Sequence, residues 1–131
     1  MVKLEENKDL GLLIIRIGIG VMFIYHGLPK LMGGPQVWHG LGKAMAFLGI
    51  TFLPVCFGFM AACAEFAGGI LLIAGIKARL AAFFMFFTMF VASLMHIRSG
   101  HGLAGASHAI ELMIVFGGLL FTGPGAYRLK P

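Results

Sequence analysis

The stretch that decides the fold is Ala61–Gly75, AACAEFAGGILLIAG, an apolar run rich in small residues with a single carboxylate, Glu65, near its middle. Extended back to residue 53 and on to residue 76, the run is long enough to cross a bilayer, which takes about 20 mainly apolar residues. A carboxylate near the centre of such a span costs roughly 3 kcal/mol unless it is neutralised or paired. Glu65 therefore requires a polar partner, which the rest of the chain must supply.

The composition of the whole chain places it among integral membrane proteins. The chain has 131 residues, of which 60% are hydrophobic and 11% are charged, whereas a soluble domain averages about 45–50% apolar and about 25% charged residues. Four apolar runs each approach or exceed the length of a membrane crossing. We therefore predict an all-α fold, a transmembrane four-helix bundle, in which residues 1–131 form a single domain.

The boundaries of the spans follow from the apolar runs. We expect spans at about 11–32, 53–76, 80–97 and 108–123, with the glycine-rich residues 98–107 as a loop. Pro29 should loosen or end the first helix near His26, because proline lacks an N–H donor and clashes with the preceding turn. Apolar residues at helical spacing predict a short helix on the membrane surface over about 36–49, with Trp38 in the headgroup region.

The distribution of basic residues predicts orientation and excludes one class of partner. The N-terminus, the connection between the second and third spans, and the C-terminal tail contain Lys3, Lys8, Lys77, Arg79, Arg128 and Lys130. The other two connections contain only Lys30, Lys43 and Arg98. Cytoplasmic segments carry the excess of Lys and Arg, so we expect a multi-pass inner-membrane protein with both termini in the cytoplasm. The formal charge of +5 is explained by this topology, and no basic stripe remains for nucleic acid.

Arg16 is the first candidate partner of Glu65. Counting about 1.5 Å per helical residue, Arg16 lies about 8 Å and Glu65 about 18 Å inside the cytoplasmic boundary. A guanidinium side chain can cover much of that gap, so we expect a direct or water-bridged pair. The alternative is that both side chains point into a hydrated crevice without touching. Either arrangement makes Glu65 and Arg16 the candidates for a catalytic role.

A second group of polar residues collects in the outer third of the predicted bundle. It comprises His26, Lys30, His96, His108 and Glu111. His108 and Glu111 are three residues apart and so share a helix face. His26, His96, His108 and Glu111 could ligate a divalent metal such as zinc or iron, while His26, Lys30, His96 and Glu111 could hold the headgroup of a bound cofactor such as a quinone. The alternative is a set of structural histidines that bind backbone carbonyls near the membrane surface.

Several motifs along the chain match one family. They are Arg16 and Tyr25-His26-Gly27-Leu28-Pro29-Lys30 in the first span, Gly49-Ile50 and Pro54 before the second, Glu65, Gly68-Gly69 and Gly75 within it, Arg79 opening the third, and Gly123-Pro124-Gly125-Ala126-Tyr127 after the fourth. With these residues the chain resembles the DoxX/DoxD family of small four-span bacterial membrane proteins, and the resemblance covers nearly the whole chain.

The resemblance implies a quinone-linked redox role, because the family takes its name from a subunit of a thiosulfate:quinone oxidoreductase. The sequence contains no haem-attachment motif, iron–sulfur cysteine set or dinucleotide fingerprint, so electrons would have to pass through quinone, a metal or partner redox subunits. The first hypothesis is a quinone-linked oxidoreductase subunit that contacts membrane lipid and redox partners and is compatible with a homo-oligomer. The alternatives are a small-molecule transporter or permeability protein and a non-catalytic scaffold for soluble redox enzymes.

Overall fold

Four long helices dominate the protein. The computed structural model describes residues 7–129, and within that range the chain is helical and contains no β-strand. The elements are α1 (Lys8–Met32), α2 (Pro35–Gly42), a 3-10 helix (Lys43–Leu48), α3 (Pro54–Ala74), α4 (Ala78–Arg98) and α5 (Gly102–Thr122). The helices α1, α3, α4 and α5 are each long and apolar enough to cross a membrane. The prediction of an all-α protein with four spans is confirmed.

The structure differs from two of the expectations about where the helices break and begin. The first helix does not end near His26 but continues through Pro29 to Met32, and the chain then breaks at Gly34, whose φ of +81° suits glycine. Pro29 is tolerated because it lies near the end of the helix, where its missing N–H removes only one helical hydrogen bond.

The predicted loop at residues 98–107 is also shorter than expected. It is reduced to a three-residue turn, because α5 begins at Gly102. Gly100, with φ +83°, lets the chain reverse over so short a distance. The backbone N–H of His101 donates to the carbonyl of His96 at 3.0 Å and closes the turn.

The predicted surface helix at 36–49 is divided into α2 and the 3-10 helix, and α2 packs directly on the first turns of α3. A Cβ atom added at Gly42 would overlap the backbone of Pro54, and one added at Gly58 would overlap the backbone of Trp38. Backbones approach this closely only where one side has no side chain. The segment after α1 is thus fixed against α3.

Helices α1 and α3 also pack through glycine. A Cβ atom at Gly20 would lie 2.7 Å from the carbonyl oxygen of Gly69, and one at Gly27 would lie 2.7 Å from the backbone nitrogen of Phe66. The two helices run antiparallel, so the end of α1 that follows Gly27 passes alongside the middle of α3. This alignment brings Lys30 to the level of Glu65.

The apolar core lies where α4 and α5 meet α1 and α3. Its largest fully buried apolar side chains are Phe116, Leu72 and Met85. Phe23 of α1 packs edge-on against Phe116 of α5, with ring centroids 5.2 Å apart. The core is completed by alanines on α4, which allow close approach of α5: Ala78, Ala81 and Ala82.

Arg16 is fully buried, and it does not pair with Glu65 as predicted. Its guanidinium donates to four backbone carbonyls: those of Leu72 at 2.9 Å, Ile73 at 3.2 Å, and Pro124 and Tyr127 at 2.6 Å each. The first two belong to the last turn of α3, where carbonyls lack helical donors. Arg16 therefore joins α1, the end of α3 and the C-terminal tail.

We expect replacement of Arg16 by glutamine to destabilise the fold by about 1–3 kcal/mol, because several buried carbonyls would lose their donor. Thermal unfolding of the detergent-solubilised protein measures the effect. Arg79→Gln is the matched control, since Arg79 is exposed and its nearest acceptor, the Phe121 carbonyl, lies at 3.4 Å. Equal losses in the two variants would contradict the structural role assigned to Arg16.

The contact between α2 and α3 predicts a second stability difference. Gly58→Ala should lower the free energy of unfolding by about 1–3 kcal/mol, because the added methyl group overlaps the Trp38 backbone. Gly40→Ala, in α2 itself, places its methyl group in open space and should be neutral or stabilising by up to about 1 kcal/mol. The same thermal assay compares them, and an unchanged Gly58→Ala protein would show that α2 is not held as described.

Candidate functional site

The partner of Glu65 is Lys30. The ammonium nitrogen of Lys30 lies 2.9 Å from each carboxylate oxygen of Glu65. The Glu65 side chain is only 5% exposed, whereas that of Lys30 is 35% exposed. Within residues 7–129 this is the one salt bridge. An ion pair inside an apolar bundle stabilises a carboxylate that would otherwise be too costly to bury.

The position of Lys30 follows from the length of α1. Because α1 continues past Pro29, Lys30 remains helical and faces α3. The backbone carbonyl of Lys30 accepts a hydrogen bond from Trp38 Nε1 at 3.0 Å. The Trp38 ring packs against the Phe59 ring, with ring centroids 4.9 Å apart. Trp38 thus stabilises the end of α1. The sequence contains one signal for this pair. If the first helix continues through Pro29, Lys30 lies inside the membrane span, where it can reach Glu65.

Beside the ion pair lies a cavity of about 550 Å³ between α2, the 3-10 helix, α3 and α4. Its size falls in the range of ligand-binding pockets, roughly 300–1,000 Å³. Apolar side chains form most of its wall, among them Leu41, Met45, Ala61, Ala64, Phe87 and Val91. We call it the main cavity.

Polar groups line the main cavity at a few positions. They are Lys30, Glu65, His96 and Thr88, and the Thr88 hydroxyl donates to the Phe84 carbonyl of its own helix at 2.8 Å. Phe84 and Phe87 line the same cavity and are 46% and 42% exposed. The main cavity therefore reaches the outer surface of the bundle on the phenylalanine-rich side of α4.

A second cavity of about 230 Å³ lies on the other side of the ion pair. We call it the side cavity. Residues from α1, α3, α4 and α5 line it, including Phe23, His26, Met89 and His108. Lys30, Glu65 and His96 line both cavities. The three protonatable side chains thus stand in the wall between the two spaces.

The structure brings most of the predicted outer polar group together, because Lys30, His26, His96 and His108 all line the side cavity. His96 is half-buried, and its Nδ1 atom lies 2.8 Å from Nδ1 of His101, a histidine outside the predicted group. His26 and His108 are exposed, with ring centroids 6.4 Å apart. Glu111 is exposed on α5 and lines neither cavity. Arg16 lies at the opposite end of α1 and lines neither cavity either.

The expected metal site is not assembled by this geometry. Among residues 7–129, no three His, Cys, Asp or Glu side chains lie close enough together to hold a metal ion. Three of the four proposed ligands, His26, His96 and His108, line the side cavity, but His96 contacts His101 instead and Glu111 lies outside this cavity. The residues that could hold an organic headgroup are Lys30, Glu65 and His96, which share a cavity wall.

This arrangement can bind and protonate a polar headgroup. Lys30 supplies N–H donors and a positive charge, Glu65 supplies a carboxylate, and the imidazole of His96 can donate or accept. The apolar walls exclude water, which strengthens each of these polar interactions. An amphipathic molecule with acceptor oxygens at one end fits the distribution of polar and apolar surface.

Comparisons with known proteins agree with this architecture. The DoxX family profile matches residues 11–98. The chain is 33% identical to the Escherichia coli (strain K12) inner membrane protein YqjF over 96% of this chain and 94% of YqjF. It is 32% identical to the inner membrane protein YphA of the same strain, over 90% of this chain and 86% of YphA.

A more distant relative comes from Bacillus subtilis (strain 168). It is named "Putative oxidoreductase CatD" and is 23% identical over 98% of this chain and 90% of its own length. No solved structure matches the chain significantly. The family match spans α1 to α4, which include the ion pair and the wall of the main cavity. The chain therefore belongs to the DoxX family and is an integral membrane protein with four membrane-spanning helices.

Proposed function

We propose that this protein is the quinone-binding subunit of a membrane oxidoreductase system, with the quinone headgroup held at the polar end of the main cavity. The observation that carries this proposal is the Lys30–Glu65 pair, which is buried beside a cavity whose remaining wall is almost entirely apolar. A purely structural ion pair would not require a ligand-sized space next to it.

The distribution of polarity in the main cavity matches a quinone. The headgroup carbonyl oxygens are hydrogen-bond acceptors, and Lys30 and His96 are the donors that line the cavity. The isoprenoid tail is apolar, and Leu41, Ala61 and Val91 give it an apolar wall. The exposed edge at Phe84 and Phe87 opens toward the surrounding lipid, from which a membrane-dissolved molecule can enter.

The residues in the wall are suited to moving protons. Reduction of a quinone to a quinol consumes two electrons and two protons, and the electrons would come from a partner redox subunit. Glu65 and His96 can each carry a proton at a carboxylate oxygen or a ring nitrogen. Lys30 would hold the Glu65 carboxylate in place through its contacts of 2.9 Å with both carboxylate oxygens.

Three relatives support the proposal. YqjF and YphA are inner membrane proteins, and CatD is named as an oxidoreductase, with the qualifier "putative". We propose the same inner-membrane location, with both termini in the cytoplasm. In the described residues, the tail contacts Asp9 near the start of α1, and the basic residues Lys77, Arg79 and Arg128 at this end of the bundle are the reason for proposing this orientation. Lys3 and Lys130 lie outside the described residues.

Quinone binding is the first prediction of this proposal. The protein in mild detergent should bind a short-chain ubiquinone or menaquinone analogue and quench the fluorescence of Trp38, the single tryptophan of the chain. Ala61→Phe should raise the Kd about tenfold or more, because the ring occupies the main cavity.

Gly18→Phe serves as the control for added aromatic bulk. Gly18 is exposed, and a Cβ there meets no atom within 4 Å, so this variant should bind the analogue as the wild type does. Thermal unfolding verifies that both variants fold. A wild-type protein that binds neither analogue, or an Ala61→Phe variant with unchanged affinity, would contradict the proposed site.

The second prediction concerns Glu65. In membranes that contain the partner subunits, Glu65→Gln should reduce quinone reduction at least about 100-fold, because the amide cannot carry a proton. Binding of the quinone analogue should remain, since the amide preserves the shape of the wall. The measurement is the rate of quinol formation at saturating quinone.

A double variant separates chemistry from structure. Lys30→Gln combined with Glu65→Gln removes both charges and leaves no unpaired ion in the bundle. The rate should stay low in this double variant if Glu65 carries protons. Recovery of the wild-type rate would show that Glu65 is needed only as the counter-ion of Lys30.

A further inference from the structure

The outer face of α5 carries charge where a membrane helix normally has none. Glu111 lies close to the midpoint of α5, about 14 Å along the helix axis from Gly102, and its side chain is exposed. His108, one turn earlier, is also exposed and lies where this face borders the side cavity. Exposed apolar residues on the same helix, Ile114 at 66% and Phe121 at 88%, show that this side faces lipid or another protein.

An ionisable side chain at this depth requires a polar partner. Ionisable residues within membrane spans almost always face a bundle interior or a water-filled cavity and pair with one another. Among residues 7–129, the one ion pair joins Lys30 and Glu65, and Glu111 lines neither cavity. The carboxylate of Glu111 is therefore oriented toward the outside of this chain.

We infer that α5 is the interface of a homodimer, in which His108 of each copy donates a hydrogen bond to Glu111 of the other. In a two-fold dimer the same surface meets itself, so each contact occurs twice. The donor and the acceptor lie one turn apart on the same helix, and two parallel α5 helices can therefore form both bonds at once. This charge complementarity is what favours a second copy over an unrelated partner.

The shape of the α5 face agrees with close helix packing. Ala104, Glu111 and Gly118 recur every seven residues and are exposed, which is the spacing of a left-handed helix pair. A Cβ atom added at Gly118 would meet nothing within 4 Å, so the space above this glycine is free for a second helix. Small residues on both sides of Glu111 would let the two helices approach closely enough for the polar pair.

Disulfide trapping tests the position of the interface. In a background with Cys56→Ala and Cys63→Ala, Gly118→Cys should form a cross-linked dimer in native membranes under mild oxidation. Gly18→Cys is the matched control, since Gly18 is also exposed with open space above it but lies on α1. Cross-linking through Gly18→Cys alone, or a monomer in native mass spectrometry of the purified wild type, would overturn the inference.

Complementary variants test the reciprocal pair itself. His108→Glu leaves only carboxylates at the interface, and Glu111→His leaves only imidazoles, so each variant alone should dimerise about tenfold or more weakly than the wild type. Coexpressed with different tags, the two variants should restore a mixed dimer with both pairs present. An intrahelical pair between residues 108 and 111 would give no such preference.

The outcomes are decisive in both directions. A mixed dimer that exceeds both homodimers supports the α5 interface. Equal amounts of the three species, or undiminished homodimers of either variant, would show that the His108–Glu111 pair does not hold two copies together. Glu111 lines neither cavity, so quinone binding by the Glu111→His variant should remain unchanged. The dimer and the proposed redox role can therefore fail separately.

Discussion

The ion pair of Lys30 and Glu65 is the interaction on which the arrangement of this bundle depends. A carboxylate in the middle of α3 is tolerable only if a cation lies within reach, and Lys30 supplies it at 2.9 Å. For Lys30 to face α3, α1 must remain helical past Pro29. The break at Gly34 then turns the chain back against α3. The position of the ion pair thus determines the path of the chain through the first half of the protein.

Glycine makes this geometry accessible. At Gly20, Gly27, Gly42 and Gly58 the backbones of neighbouring segments approach too closely for any side chain. The tight packing of α1 and α2 on α3 contrasts with the space left between α3 and α4, where the main cavity lies. Dense contact on one side of α3 and open volume on the other place Glu65 at a boundary between packed protein and a ligand-sized space.

The polar residues of the bundle divide into three roles according to their surroundings. Arg16 is surrounded by backbone carbonyls and closes the cytoplasmic end in our proposed orientation. Lys30, Glu65 and His96 share a cavity wall and are the groups that a bound headgroup would meet. Glu111 is exposed on α5 and, by our inference, meets a second copy of the chain. In our proposals, ionisable side chains therefore serve folding, ligand binding and association in one small chain.

Composition and apolar run length determined the membrane class, the four spans and the need of Glu65 for a partner, because these depend only on local sequence and on the cost of burying charge. The motifs were sufficient to recognise the DoxX family. The identity of the partner was decided by the tertiary structure. Arg16 and Lys30 lie at comparable separations from Glu65 along helices of unknown register, and only the glycine contacts of α1 with α3 fix which one faces it. The main cavity likewise arises from gaps between helices, and such gaps leave no local pattern in the sequence.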